Sequence, residues 1–376
     1  MSSTGQYDTI ILSFLIGCED SMKRLLPLFL SLFLLAGCSG ADTPVTQQLF
    51  AMNTTMTLTL YGSRASDAAL SAQQAINRLD GLWSRTKASS DVSRLNAAAG
   101  DPAPETEVAP ETGALLSRAR ELGALTGGAL DITIAPIMDA WGFGTTSVFQ
   151  ESDFRVPSRT ELDALLPLVD SGRLHVSGSA EAPLAWLDGP GMAVDLGAVA
   201  KGRAADLLVP LLTDSGVTSA ILDLGGNLTA LGTRPDGTPW RIGVKDPRNT
   251  ETYFCILSLS DKTCSTSGSY ERKFEVDGTT YHHILDPATG YPAESGLLSV
   301  TAVSSDGMLA DGLSTACYVM GAEQSVRLWR EHGLEGAGFD LVLVREDGSV
   351  WITEGLEDGL DFRGEEAGYT YEIIRR

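Results

Sequence analysis

Positive charge is scarce in this chain. Its 376 residues carry 27 Lys plus Arg against 49 Asp plus Glu, a formal net charge of −22. A surface of that sign does not neutralise phosphates in bulk, which excludes a general nucleic-acid binder. Any phosphate-bearing ligand has to be held locally, by a metal ion or by backbone amides. Cysteine is scarce too: there are 5, with no Cys-x-x-Cys and no Cys/His cluster, so a zinc site has no support. The apolar run near the N-terminus is too short to span a bilayer as a mature helix. No segment repeats at a fixed period, and the order Gly-x-x-x-x-Gly-Lys-Ser/Thr of a Walker loop is absent. Glycine, by contrast, is abundant. The 40 glycines exceed the roughly 7% of average usage and point to tight turns or loops close to a ligand. A hydrophobic fraction of 43% is that of a globular protein, not of a disordered or collagen-like one.

The N-terminal region reads as an address. Met22-Lys23-Arg24 is a short basic start, Leu25 to Leu35 is almost purely apolar, and Leu35-Ala36-Gly37-Cys38 puts small residues before a cysteine. That order is a secretory signal. The final box resembles the bacterial lipoprotein type, which implies cleavage before Cys38, lipidation of its sulfur, and a chain tethered to a membrane rather than spanning it. The expected organisation is an upstream extension from a misassigned start over residues 1–21, a lipoprotein signal peptide over 22–37, a tether over 38–48, and one domain over 49–376. The location implied is a bacterial membrane, with the domain facing the periplasm or cell exterior. Three cysteines remain further on, Cys255, Cys264 and Cys317. Spacing allows Cys255 and Cys264 to pair across neighbouring strands and does not establish it.

Periodicity organises the rest. Ala51 to Leu60 alternates as a strand would, and Asp67 to Leu82 follows a 3.6-residue period. A helix follows Pro110, and another runs through Glu161 to Leu166 with Ser158 as its cap. Met192 to Leu196 reads as a strand meeting Gly197, Ala198 to Leu212 as a helix, and Ser219 to Leu224 as a strand stopped by Gly225-Gly226. Short strands follow over Arg241 to Val244, Phe254 to Leu259, Tyr270 to Val276 and Tyr281 to Leu285, with Asp277-Gly278 as a hairpin turn. Ala310 to Met320 and Glu323 to His332 read as helices, and a last hairpin joins Asp340 to Val344 with Ser349 to Thr353. Strands in runs with helices grouped beside them predict an α+β fold in one domain, mostly antiparallel.

Three stretches carry candidate chemistry. Asp311, Ser314 and Thr315 stand at i, i+3 and i+4, which puts three oxygens on one helical face. One carboxylate with two hydroxyls suits a hard cation such as Mg²⁺ or Ca²⁺; on spacing alone, a helix cap whose hydroxyls bond back to the ladder explains the same residues. Gly197 between a strand and a helix presents backbone amides suited to a phosphate, with Lys201 one turn beyond. His282 and His283 alternate to opposite faces of a strand, so at most one serves a given site, as a general base at its rim.

Taken together, these stretches resemble the ApbE family of flavin transferases. The matching pieces are Ala51-Met-Asn-Thr-Thr-Met56, Ser90-Asp-Val-Ser-Arg-Leu-Asn96, Thr126-Gly-Gly-Ala-Leu-Asp131 with Trp141-Gly-Phe-Gly144, and Asp195-Leu-Gly-Ala-Val-Ala-Lys-Gly202. They continue through Leu224-Gly-Gly-Asn227, Thr266-Ser-Gly268, His283-Ile-Leu-Asp-Pro-Ala-Thr-Gly290 and Asp311-Gly-Leu-Ser-Thr315. The resemblance runs from Phe50 to about Val350. It implies movement of FMN from FAD, as substrate, onto a protein threonine with release of AMP. The expected acceptors are threonine-bearing subunits of membrane redox complexes or related flavoproteins. It implies an FAD site lined by Met52, Ala129, Leu130, Asp131, Asp195, Lys201 and Leu285. It further implies Mg²⁺ held by the Ala198 carbonyl, Asp311, Ser314 and Thr315, and His283 as the base on the acceptor hydroxyl. Three departures stand out. Asn53 replaces a usual Gly, Ser84-Arg85-Thr86 lacks an aromatic with Trp83 as the nearest substitute, and Ser314 offers a neutral oxygen where some members have a carboxylate. Two further readings use the same scaffold: an FAD pyrophosphatase giving FMN and AMP, and a flavin-storage lipoprotein.

Overall fold

The computed structural model describes residues 43–144 and 154–376; Cys38 and the expected signal and extension lie outside the described residues. Nine strands form one sheet whose spatial order follows the chain: Val45–Ala51, Thr54–Tyr61, Ser219–Asp223, Asn227–Gly232, Lys262–Gly268, Leu297–Ser304, Asp340–Arg345, Ser349–Thr353 and Thr370–Ile374. All neighbours are antiparallel except the last two, which run parallel. The helices are α1 (Ala65–Trp83), α2 (Asp91–Ala97), α3 (Pro110–Leu125), α4 (Ala135–Trp141), α5 (Arg159–Leu165), α6 (Ala200–Asp214), α7 (Gly307–Met320) and α8 (Ala322–His332). The α+β expectation holds. None of the described helices is long and apolar enough to cross a membrane.

The period-2 pattern of the central strands explains why both faces of the sheet are covered. Within Asp340–Arg345, Leu341 and Leu343 join the core beneath the helices, while Val342 and Val344 join a second core with Trp240, Phe254 and Tyr369. The second core is roofed by a three-stranded sheet of Trp240–Asp246, Asn249–Leu259 and Leu360–Phe362. On the helical side, α1 buries Ala65, Ala68, Ala69, Ala72, Ile76, Leu79 and Trp83 as one stripe. A third, smaller cluster gathers Ile137, Trp141, Phe143, Leu162 and Leu285. It lies under the hairpin of Lys273–Val276 and Thr279–His282, whose Phe274 and Tyr281 pack on Trp141.

Several boundaries differ from the periodic reading. Ala51 to Leu60 is not one strand: the chain reverses at Met52 and Asn53, both at positive φ (47° and 60°), and returns antiparallel. Two left-handed residues make the tight turn that two-residue hairpins need, and Asn tolerates that conformation where Gly is usual. Met192 to Leu196 forms a single bridge, Ala193 to Ile134, rather than a strand. It cannot extend the ladder because the Asp195 carboxylate turns back onto the Gly197 amide, and α6 accordingly starts at Ala200. Tyr270 to Val276 and Tyr281 to Leu285 contract to the short hairpin above, and the Asp277-Gly278 turn is where expected. Ser158 caps α5, accepting from the Glu161 amide.

Candidate active site

Helices α6 and α7 meet at a glycine. A Cβ on Gly202 would lie 2.0 Å from the Gly307 carbonyl oxygen and 2.7 Å from Asp311 Cβ, so only glycine lets the backbones touch. The approach brings the Gly202 N–H, in the first turn of α6, onto Asp311 Oδ2 at 2.9 Å. That N–H is one a helix leaves unpaired, so the positive end of α6 faces a carboxylate. Asp311 Oδ1 accepts from Ser265 Oγ at 3.1 Å, and Lys201 Nζ stands 3.9 Å away while donating to the Gly197 carbonyl at 3.2 Å. Asp311 is therefore no helix cap. Asp306 caps α7 by accepting from the Leu309 amide, and Asp311 is 4% exposed inside the helix.

One turn on, Ser267 Oγ lies 2.8 Å from Ser314 Oγ and 3.1 Å from Thr315 Oγ1. Ser265 and Ser267 alternate along Lys262–Gly268, so both hydroxyls point at the α7 face that carries Asp311, Ser314 and Thr315. Ala198, half-buried, lies in the turn just before α6. Among the described residues no group of three or more His, Cys, Asp or Glu converges. A cation here would rest on one carboxylate and neutral oxygens. That donor set fits a hard, oxygen-seeking ion and not zinc.

The remaining expected residues fall into two groups. Met52 donates its amide to Asp80 Oδ1 at 2.9 Å, which ties the hairpin turn to α1. The Gly225-Gly226 loop packs on that hairpin, since a Cβ on Gly225 would meet Thr54. Ala129, Leu130 and Asp131 follow α3 through two positive-φ glycines, Gly127 and Gly128. The Asp195 amide donates to the Ile132 carbonyl at 2.7 Å, bringing this run beside Asp195. The Asp131 carboxylate is spent on the loop: Oδ1 accepts from the amide and hydroxyl of Thr133, and Oδ2 accepts from the Ser171 amide. Leu285 is buried in the aromatic cluster with Trp141 and Phe143.

His283 lies just past the end of Thr279–His282, on the opposite side from His282. The His283 ring meets Phe143 and the His282 ring meets Tyr318. Burial, helped by the nearby charges of Arg272 and more weakly Lys201, lowers the His283 pKa to about 3. The imidazole is neutral at physiological pH. Its Nδ1 lies 3.2 Å from the Arg272 carbonyl, which selects the tautomer with hydrogen on Nδ1 and leaves the Nε2 lone pair as the basic atom.

Two residues have surroundings that the sequence reading does not give. Arg85 occupies the stretch that lacks the aromatic. Its Nη1 donates to Asp195 Oδ2 at 2.9 Å and its Nη2 to Asp139 Oδ2 at 2.7 Å. Burial works against its charge, and the two carboxylates outweigh that and hold its pKa above the ordinary value. Trp83 does not substitute for the aromatic: it is 4% exposed and packed in the main core. The second feature is Asn227, fully buried beside Ser265 and without a partner for either amide atom among the described residues. Nothing local marks Arg85, whereas Asn227 closes a Gly-Gly-Asn loop that the sequence does single out.

A sequence model described as the ApbE family matches residues 52–337. The chain is 31% identical over 326 residues to the FAD:protein FMN transferase of Salmonella typhimurium, covering 82% of this chain and 91% of that one. It is 37% identical over 257 residues to the protein of the same name from Treponema pallidum, covering 65% and 68%. Among solved structures, the ApbE protein of Thermotoga maritima aligns with a TM-score of 0.76 at 30% identity, over 84% of this chain and 99% of that one. The apo flavinyl transferase ApbE of Pseudomonas stutzeri aligns with a TM-score of 0.72 at 29% identity, over 85% and 97%.

Proposed function

The chain belongs to the ApbE family, and from that premise we propose that it is an FAD:protein FMN transferase. It moves FMN from FAD to a threonine hydroxyl of a flavoprotein acceptor and releases AMP. The observation that carries the reading is the convergence of Lys201, Asp311 and the α6 N-terminus on one point.

The residues divide the work. Met52, Ala129 to Asp131, Asp195 and Leu285 line the dinucleotide site, with Asp131 acting through the loop it closes. Lys201 neutralises charge on the pyrophosphate. The acceptor Oγ attacks the FMN-side phosphorus while its proton passes to His283 Nε2. The P–O bond to AMP breaks in the same displacement, and AMP leaves with the bridging oxygen. A Mg²⁺ ion held by the Ala198 carbonyl, Asp311, Ser314 and Thr315 would supply charge neutralisation at the phosphoryl oxygens. An acidic chain is compatible with this chemistry because the field that matters is local.

The second reading, an FAD pyrophosphatase on the same site, is favoured by Arg85 standing in the stretch where an aromatic is expected. It uses water in place of the threonine. The N-terminal order of basic, apolar and small residues ending at Cys38 supports a lipid-anchored enzyme facing the periplasm or cell exterior, where acceptor domains of membrane redox complexes lie. Loss of membrane association on Cys38→Ser tests that part.

The test of function is in-gel flavin fluorescence of a threonine-bearing acceptor domain after incubation with the enzyme, FAD and Mg²⁺. The acceptor becomes fluorescent and its Thr→Ala form stays dark. A dark wild-type acceptor with FMN and AMP accumulating transfers the assignment to the pyrophosphatase.

A further inference from the structure

Asn227 opens its strand directly after two glycines held at φ of 76° and 87°. The loop is pinned by Asp223, whose Oδ1 accepts from the Gly225 and Gly226 amides at 3.0 and 3.3 Å. The Leu224 amide closes it on the Asn227 carbonyl at 2.9 Å. The side chain that follows is thus set by the backbone and has little freedom to search for a partner.

Its direction follows from the register. Asn227 pairs with Ser265 across the antiparallel ladder, so both side chains lie on one face with Cβ atoms about 5 Å apart. Ser265 Oγ donates to Asp311, which makes that face the one toward α7. The next residue, Leu228, packs against the opposite core with Cys264, its own ladder partner. Two residues on, Thr229 and Thr263 satisfy each other at 2.8 Å across the same face. Asn227 has no such partner. Its residue is 0% exposed, and neither Oδ1 nor Nδ2 is hydrogen-bonded among the described residues.

A buried amide with both ends unpaired is costly, and native proteins rarely keep one without a ligand, an ion or an ordered water to satisfy it. It stands beside Ser265, whose hydroxyl holds the single carboxylate of a site otherwise made of neutral oxygens. Resting on the functional reading above, we propose that Asn227 is a ligand-contacting residue of this site. It reads a cation and phosphate together: Oδ1 contributes an oxygen to the divalent cation, and Nδ2 donates to a pyrophosphate oxygen of the dinucleotide. The pairing accounts for both orphaned atoms, which a cation alone or a phosphate alone does not.

The test uses the folded protein without an acceptor and reads binding, not turnover. Mg²⁺ affinity is measured by calorimetry with MgCl₂ alone, and FAD affinity by flavin fluorescence in saturating Mg²⁺, with thermal unfolding of each unliganded protein alongside. Asn227→Leu removes both contacts at similar volume. It should leave the unliganded Tm unchanged or raised, while Mg²⁺ and FAD affinities each fall about tenfold. Asn227→Asp keeps an oxygen and loses the donor, so it should hold Mg²⁺ at least as well as wild type and still bind FAD about tenfold more weakly. The proposal is overturned if Asn227→Leu lowers the unliganded Tm and leaves both affinities unchanged, the behaviour of a purely structural amide. It is equally overturned if Asn227→Asp binds FAD in Mg²⁺ as wild type does. A wild-type protein that binds neither Mg²⁺ nor FAD identifies a different failure, that of the functional reading itself.

Discussion

The amide of Gly202 donates to Asp311 Oδ2 at 2.9 Å, from a helix turn pressed so close to α7 that a Cβ there would lie 2.0 Å from the Gly307 carbonyl oxygen. The same glycine that permits the two helices to touch also supplies the hydrogen bond that orients the candidate cation-holding carboxylate. Packing and chemistry share one residue, so a change at Gly202 is felt in both.

Gly202→Ala should destabilise the protein by about 2–3 kcal/mol, because the added Cβ meets the Gly307 backbone and the Asp311 Cβ, neither of which can swing away. Urea unfolding measures it. A loss below about 0.5 kcal/mol, the range of ordinary surface substitutions, contradicts the packing account.

Asp311→Asn retains an acceptor for the Gly202 amide and removes the charge. Stability should change by less than about 2 kcal/mol. FAD turnover in Mg²⁺ should fall at least about a hundredfold if the carboxylate holds the ion. Wild-type rates in this variant contradict the cation assignment.

Arg85 and Asp195 should be energetically coupled. A double-mutant cycle of Arg85→Ala and Asp195→Asn, read by denaturant unfolding, should give a coupling of about 1–2 kcal/mol. The coupling is modest because Asp139 binds the same guanidinium and continues to neutralise it when Asp195 is replaced. Strict additivity of the two substitutions contradicts a direct bridge.

Legibility in the sequence tracked locality. Asp311, Ser314 and Thr315 could be grouped because helical spacing alone puts them on one face. The strand Lys262–Gly268 could not be found that way. Its Lys-Thr-Cys-Ser-Thr-Ser-Gly shows no apolar alternation, since its inward face is a row of hydroxyls under α7. Leu297–Ser304 is buried almost throughout and so shows no period-2 contrast. The Met52-Asn53 reversal was hidden because neither residue is Gly. The role of Arg85 depends on Asp195, 110 positions away, and no local pattern encodes that. Asn227 was visible as a residue, but its orphaned amide exists only once the ladder register is known.

The His283 pKa of about 3 has a kinetic consequence. kcat/KM reports groups of the free enzyme. The base form of His283 is present down to about pH 3, so between pH 5 and 8 the profile should show no acid limb from this residue. A limb near 6.5 that disappears in His283→Ala contradicts the partly buried, neutral imidazole.

Asp206 accepts from the Gly307 and Met308 amides, yet burial, and then the neighbouring Asp306 charge, raise its pKa from 3.8 to about 6. The folded state therefore keeps a proton that the unfolded chain has released between those values. This contribution to stability is complete below pH 3.8 and is lost as pH rises to about 6, by an amount on the order of 3 kcal/mol. Asp206→Asn should flatten that part of the stability–pH curve in urea unfolding; an unchanged slope contradicts the assignment.

The central claim is transfer of an FMN group at a site built around Asp311. Intact-mass spectrometry of an acceptor domain, with AMP quantified in the same reaction, tests it most directly. The account predicts a gain of one FMN per acceptor, one AMP released per FMN transferred, and loss of both with EDTA or in Asp311→Asn. AMP released in full while the acceptor mass stays unchanged would contradict it.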